Sequence, residues 1–247
     1  MSGRPLSSYF HSAALPHQFQ DRVCQLCRAP VNGYEYCYQC NAASDAMRPD
    51  AVGFVSYAIS GRQAGWDMHG YKGEPTSAQA VSNVQLLLEH GLRHLPCVSR
   101  IVGPDVEAVA VMPSRTHYQF GMPSQLQKLC ACSLPVDLQT VEIQPAAGSI
   151  SDRKKQPTNF VAPVPVGWSH VLLIDDTWVS GGTVMSAVGA LRDAGVVRVS
   201  SLVLARWLDP DYKATKSLIR EVAQAGGWSP PQGVCPFTRD GVCPKVR

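Results

Sequence analysis

The sequence predicts an α/β fold, a parallel sheet flanked by helices, with a small four-cysteine segment ahead of it. Three observations predict this. "HVLLID" (170–175), "GTVMSAVGALRDAG" (182–195) and "VRVSSLVLARWL" (197–208) read as strand, helix and strand, an order that makes a right-handed βαβ unit. "VEAVAVM" (106–112) is a short apolar run, suited to a parallel strand buried on both faces. Cys24, Cys27, Cys37 and Cys40 form two C-x-x-C pairs around Asn32-Gly33, and a hairpin reversal there would bring four sulfurs to one tetrahedral zinc ion.

Taken in chain order, residues 1–20 read as a flexible N-terminus without the apolar core of a secretion signal. Residues 21–44 are the zinc segment, too short to hold a core of its own, so the metal would supply much of its folding free energy. All four ligands are cysteine, which makes the metal structural. "NAASDAMRPD" is a connector, and residues 50–208 form the main domain. Within it "GFVSYAIS" is a strand, and "GRQAGWDMHGYKG" reads as a turn and return strand of a hairpin. Val81, Val84, Leu88 and Leu92 recur at helical spacing between Ser77 and Leu95. His90 and His94 lie on that helix and read as a solvated face, a zinc pair being the alternative. "QLQKLCACSL" reads as a helix and "LQTVEIQ" as an alternating strand. The Gly/Pro-rich stretch 146–167, carrying Arg153, Lys154 and Lys155, reads as a long loop of the kind that is often functional. Residues 209–247 form a C-terminal extension of unassigned role. Its Cys235 and Cys243, like Cys97, Cys130 and Cys132, read as buried small residues or loop thiols, with a second small metal knuckle at 235–243 left as an alternative.

Composition excludes some functions. The chain has 247 residues, 22 basic against 19 acidic, with a formal net charge of +3; this is too weak a balance to announce a nucleic-acid binder. No run of eighteen apolar residues occurs, so no membrane span is expected. Nine cysteines without a secretion signal read as reduced thiols of a cytoplasmic protein, some of them metal ligands.

The stretch "VLLIDDTWVSGGT" (171–183) carries the functional signal. Ligands of open parallel sheets bind beyond the carboxyl ends of strands, where this pattern places Asp175 and Asp176. The chain then turns into a helix N-terminus, whose free N–H groups and dipole favour phosphate. Gly181 and Gly182 allow close approach, while Ser180 and Thr183 add hydroxyl donors. Two carboxylates would repel phosphate unless they accepted hydrogen bonds from sugar hydroxyls or helped hold hydrated magnesium. A phosphorylated ribose satisfies all three features. The pattern is neither a Walker A loop nor a G-x-G-x-x-G fingerprint.

This stretch resembles the phosphoribosyl pyrophosphate signature of type I phosphoribosyltransferases, which have a Rossmann-like parallel sheet and a flexible closing loop. With the four cysteines ahead of it, the chain is similar to the ComF-type, competence-associated branch, and "MHGYKG" resembles a Tyr-Lys stretch of that branch. The resemblance implies that Thr177, Val179, Ser180, Gly181, Gly182 and Thr183 cradle the 5′-phosphate and that Asp175 and Asp176 contact the ribose hydroxyls. It also implies that Ser114 and Arg115 bind pyrophosphate, and that Lys154 and Lys155 close over it. With magnesium bound, the implied reaction is displacement of pyrophosphate at the anomeric carbon. Val179 stands where the family often has threonine, and this argues against hypoxanthine or guanine as acceptor. Trp178 would stack on a base or cover the site, or else pack beneath the closing loop. A second class stays open: a ribose-phosphate sensor or scaffold assisting DNA uptake or processing through its zinc segment and basic loop, with single-stranded DNA or DNA-processing proteins as partners and Tyr34, Tyr36 and Tyr38 stacking on bases or packing around the zinc.

Overall fold

A computed structural model describes residues 9–114, 122–146, 159–163 and 167–245. A six-stranded sheet forms the centre, built from β1 (His11–Ser12), β2 (Ala51–Ile59), β3 (Ala108–Val111), β4 (Gln139–Val141), β7 (His170–Trp178) and β8 (Arg198–Leu208), in the order β1-β2-β8-β7-β3-β4. Only β1 is antiparallel to its neighbour. β5 (Gln144–Pro145) and β6 (Phe160–Val161) pair separately, so "LQTVEIQ" is divided between two sheets. The helices are α1 (Tyr38–Asn41), α2 (Gln63–Gly70), α3 (Ala78–Leu92), α4 (Leu95–Val102), α5 (Gln125–Ser133), α6 (Gly182–Asp193) and α7 (Lys213–Gln224).

Strand β7 shows why the sheet is buried on both sides. Val171 and Leu173 join the apolar cluster that holds Val188 and Leu191 of α6, whereas Leu172 and Ile174 join the one that holds Leu87 and Leu88 of α3. Alternate side chains point to opposite faces, and all four are fully buried, each contributing about 1.5–3 kcal/mol. Cys24, Cys27 and Cys40 lie in the first cluster, so the cysteine segment packs on the same face as α6.

Two expectations are corrected. Residues 63–70 form α2 rather than a hairpin return. Both edges of β2 are already taken, by β1 and by β8, so no vacancy remains for a returning strand, and α2 instead buries Ala64 and Met68. His90, on α3, is not solvated: it is 4% exposed, and its Nε2 lies 2.8 Å from the carbonyl of Val234, while His94 falls beyond α3, half-buried at the start of α4. Helical periodicity describes a face but not the distant segment that covers it.

That segment is the C-terminal one. Ser12 N–H donates to Ser229 O at 2.8 Å, and Phe54 N–H to Pro236 O at 3.1 Å. Phe237 lies over Gly53, where a β-carbon would come within 2.6 Å of its ring. No helix among the described residues is long and apolar enough to cross a membrane.

Candidate functional site

The chain leaves β3 towards β4 on one side and leaves β7 towards β8 on the other. Where connections diverge in this way the carboxyl ends of a parallel sheet open a crevice, and Asp175 and Asp176 stand in it. They lie within β7, which continues to Trp178, so only residues 179–181 separate the strand from α6. The pairing of β3 with β7 runs on through Met112 N–H to Ile174 O at 2.9 Å, and this brings Pro113 and Ser114 alongside the acids.

The acid pair divides the crevice into two cavities. The first, about 460 Å³, is lined by Asp175, Asp176, Thr177, Val179, Ser180, Gly181 and Thr183, with Lys72 and His69 opposite. The second, about 440 Å³, is lined by Tyr71, Lys72, Pro113, Ser114 and Ser124 as well as both acids. Gly182 is the first residue of α6 and is buried. Arg115, Lys154 and Lys155 lie outside the described residues.

Tyr71 and Lys72 hold Asp176 from α2's end. Tyr71 O–H donates to Oδ2 of Asp176, and Lys72 Nζ reaches the same oxygen at 2.6 Å. Asp176 N–H in turn donates to Asp175 Oδ1 at 2.9 Å. Burial, and then the neighbouring Asp176 charge, push Asp175 up to about 7, against the pull of the Asp176 N–H and Lys72. Burial and the same carboxylate hold the Tyr71 phenol well above its ordinary value, so it remains a donor.

Asp175 therefore keeps its proton in the folded chain up to about pH 7, whereas the unfolded chain releases it near 3.8. Between those values the folded state binds more protons, so stability falls as pH rises and levels off above pH 7. Asp175→Asn is expected to be more stable than the parent at pH 8, with the difference vanishing at pH 4. Urea denaturation at the two pH values checks it.

The loop between the acids and α6 is held from below. Gly181 caps α6 at φ +83° with no side-chain cap among the described residues, and Ser180, Gly181 and Thr183 at this turn line the first cavity. Trp178 is 1% exposed. Its ring meets Phe54 edge-on at 5.5 Å, and a β-carbon on Gly181 would come within 2.3 Å of it. Trp178 thus packs beneath the loop instead of stacking on a ligand. Gly181→Ala is expected to cost at least about 2 kcal/mol, from left-handed backbone strain and overlap with the indole; thermal denaturation measures it.

Arg206 ties this loop to the cysteine segment. From β8 it donates Nη1 to the carbonyls of Trp178 (2.8 Å), Val179 (2.9 Å) and Trp207 (2.8 Å), and Nε to the carbonyl of Cys27 at 2.7 Å. Val179 therefore takes part through its backbone, its side chain being exposed. Arg28 makes the second link. Its guanidinium lies 5.6 Å from the Phe54 ring centroid and donates to Pro236 O at 2.7 Å and Thr238 O at 2.9 Å.

The four cysteines converge as their spacing predicts. Their sulfurs all lie within 4.8 Å of one another, with Cys27 Sγ and Cys37 Sγ 3.6 Å apart. Four thiolates at about 2.3 Å from zinc would stand about 3.75 Å apart, so the donor set fits a structural zinc ion. Tyr36 stacks against Arg48, while Tyr34 and Tyr38 are 73% and 82% exposed.

Sequence reasoning misses Arg206, which reads as one charge in an apolar strand. Tyr71 and Lys72 stand out only as part of "MHGYKG", and Lys72 is a cation paired with Asp176.

Fold and site together define an α/β protein with an acid-pair crevice over a strand–loop–helix turn and a four-cysteine cluster behind it. No protein-family model and no curated protein matches the sequence. Among solved structures the chain is similar to a phosphoribosyltransferase from Corynebacterium diphtheriae, at 17% identity over 59% of this chain and 76% of that one, with a TM-score of 0.32. It is similar also to the adenine phosphoribosyltransferase of Leishmania tarentolae, at 18% identity over 61% of this chain and 66% of that one, TM-score 0.34. For the orotate phosphoribosyltransferase of Mycobacterium tuberculosis the values are 15%, 57%, 68% and 0.31. At these scores the likeness is coarse, and the chemistry of the site rests on its own residues.

Proposed function

We propose that this protein binds phosphoribosyl pyrophosphate with magnesium in the crevice and displaces pyrophosphate at the ribose anomeric carbon. The observation that carries the reading is the placement of Asp175 and Asp176 as the shared wall of two cavities, one floored by the Gly181 turn and one by Pro113-Ser114. A ligand with phosphate at one end, vicinal hydroxyls in the middle and pyrophosphate at the other matches that order. The N–H groups opening α6 and the hydroxyls of Ser180 and Thr183 would receive the 5′-phosphate. Asp175 and Asp176 would accept from the ribose hydroxyls and orient the ring. Ser114 would donate to the pyrophosphate, with Arg115, Lys154 and Lys155 as its cationic partners. Magnesium, when bound, would neutralise the leaving pyrophosphate, held through water by the acid pair. Much of the acceleration then comes from positioning, and no protein nucleophile is needed.

The four-cysteine cluster ahead of the domain supports placement in the ComF-type branch, with zinc structural and the protein cytoplasmic. The acceptor is a nitrogenous compound other than hypoxanthine or guanine. Calorimetric titration with phosphoribosyl pyrophosphate and magnesium tests the reading. At pH 8, above the range in which Asp175 keeps its proton, losing two charge-assisted contacts of about 1.5–3 kcal/mol each should weaken binding at least about 100-fold in Asp175→Asn/Asp176→Asn. Unchanged affinity in that variant sinks the assignment. A pyrophosphate-release screen over bases and amines then separates enzyme from sensor, since binding without release with any acceptor identifies a sensor.

The exposure of Tyr34 and Tyr38 favours one second reading, a DNA-assisting scaffold. It requires a salt-dependent shift of single-stranded DNA that disappears in Tyr34→Ala/Tyr38→Ala.

A further inference from the structure

We propose a second zinc site, formed by His94 Nδ1 and the thiolates of Cys97, Cys235 and Cys243, which staples the C-terminal segment to helices α3 and α4. The four ligand atoms lie within 4.8 Å of one another. His94 Nδ1 is 3.5 Å from Cys243 Sγ and 3.7 Å from Cys97 Sγ. With zinc–sulfur bonds of about 2.3 Å and a zinc–nitrogen bond of about 2.05 Å, a tetrahedral centre puts sulfur and nitrogen about 3.6 Å apart. The observed separations bracket that edge.

Each ligand pair is presented by local structure. His94 is the N-cap of α4 and Cys97 lies in its first turn, with Cys97 N–H donating to His94 O at 2.9 Å. Cys235 and Cys243 flank a reversal closed by Cys235 N–H to Gly241 O at 2.7 Å, with Gly241 at φ +77°. More than 130 residues separate the two pairs, yet the fold sets them face to face. Neighbouring contacts hold both arms in place. His90 Nε2 meets the carbonyl of Val234, next to Cys235, at 2.8 Å, and Arg100 donates to Pro244 O, next to Cys243, at 3.3 Å. Supports of this kind orient metal ligands.

A disulfide would use two of the three sulfurs and leave the third, and the imidazole, without a purpose; the described cysteines are all free thiols. Four protein ligands leave no open position, which makes the site structural. It also has work to do. Residues after Gln224 form no strand or helix among the described residues, yet Pro236 and Thr238 supply the carbonyls that receive the buried Arg28 guanidinium behind the first cluster. The second site and Arg28, next to Cys27 of the first cluster, thus hold the same segment.

Metal content of the full chain, purified under reducing conditions and dialysed against metal-free buffer, tests the proposal. Two zinc ions per chain are expected in the parent protein, and one in Cys243→Ala, whose exposed position makes misfolding no explanation for the loss. Cys24→Ala should also fall from two to one, and Cys24→Ala/Cys243→Ala to none. His94→Cys, which keeps a four-ligand set, should still bind two. Cobalt(II) substitution gives a second readout, with the thiolate-to-cobalt absorption of the parent falling in Cys243→Ala. One zinc ion in the parent that Cys243→Ala retains overturns the proposal, as does a disulfide among Cys97, Cys235 and Cys243 in the freshly purified protein. Neither result depends on ligand binding in the crevice.

Discussion

Arg206→Met is expected to destabilise the protein by at least about 4 kcal/mol and, on the proposed function, to weaken binding of phosphoribosyl pyrophosphate at least about tenfold. The side chain is 6% exposed and serves the carbonyls of Cys27, Trp178, Val179 and Trp207. Methionine preserves much of the apolar length but leaves these buried acceptors without their donor, and each costs about 1–3 kcal/mol when unsatisfied. Because Trp178 and Val179 lead into the Gly181 turn, their release also unmakes the floor of the first cavity. Urea denaturation reads the stability loss and calorimetry the affinity loss. A variant that is less stable yet binds as tightly as the parent would show that the turn holds its shape without Arg206.

Cys27→Ser is expected to release the zinc proposed for the four-cysteine cluster, open residues 21–44 to proteolysis and lower stability by several kcal/mol. The apparent zinc-binding energy of such a segment is about 10–16 kcal/mol. The loss does not stay local. Cys24, Cys27 and Cys40 belong to the apolar cluster that contains Val188 and Leu191 of α6, and the Cys27 carbonyl is one of Arg206's acceptors. The four-cysteine segment therefore buttresses the crevice, and on the proposed function its collapse should reduce ligand affinity as well. Metal analysis with limited proteolysis checks the first effect; calorimetry checks the second. Unchanged ligand affinity after zinc loss would refute the buttressing role.

These two variants act through residues of very different visibility. Cys27 announces itself, because metal ligation needs particular atoms at a particular spacing. Arg206 is silent, since its four acceptors are backbone carbonyls that any sequence would offer. The same contrast runs through the site. Asp175, Asp176 and the glycine turn occupy nine consecutive residues with Thr183 (175–183), so their chemistry is local and legible. Tyr71 and Lys72 meet Asp176 from across more than 100 residues, and nothing in their own neighbourhood states it.

The helical spacing of α3 and α6 and the apolar runs of β2, β3, β7 and β8 specify these elements within the sequence itself, because burial imposes a period on consecutive side chains. Tertiary structure alone decides that residues 63–70 become a helix, that the face of α3 bearing His90 is covered, and that His94, Cys97, Cys235 and Cys243 converge. Each of these depends on which segment occupies the space beside another. A local pattern records the demand for a partner, whereas the partner's identity is set by the packing of the whole chain.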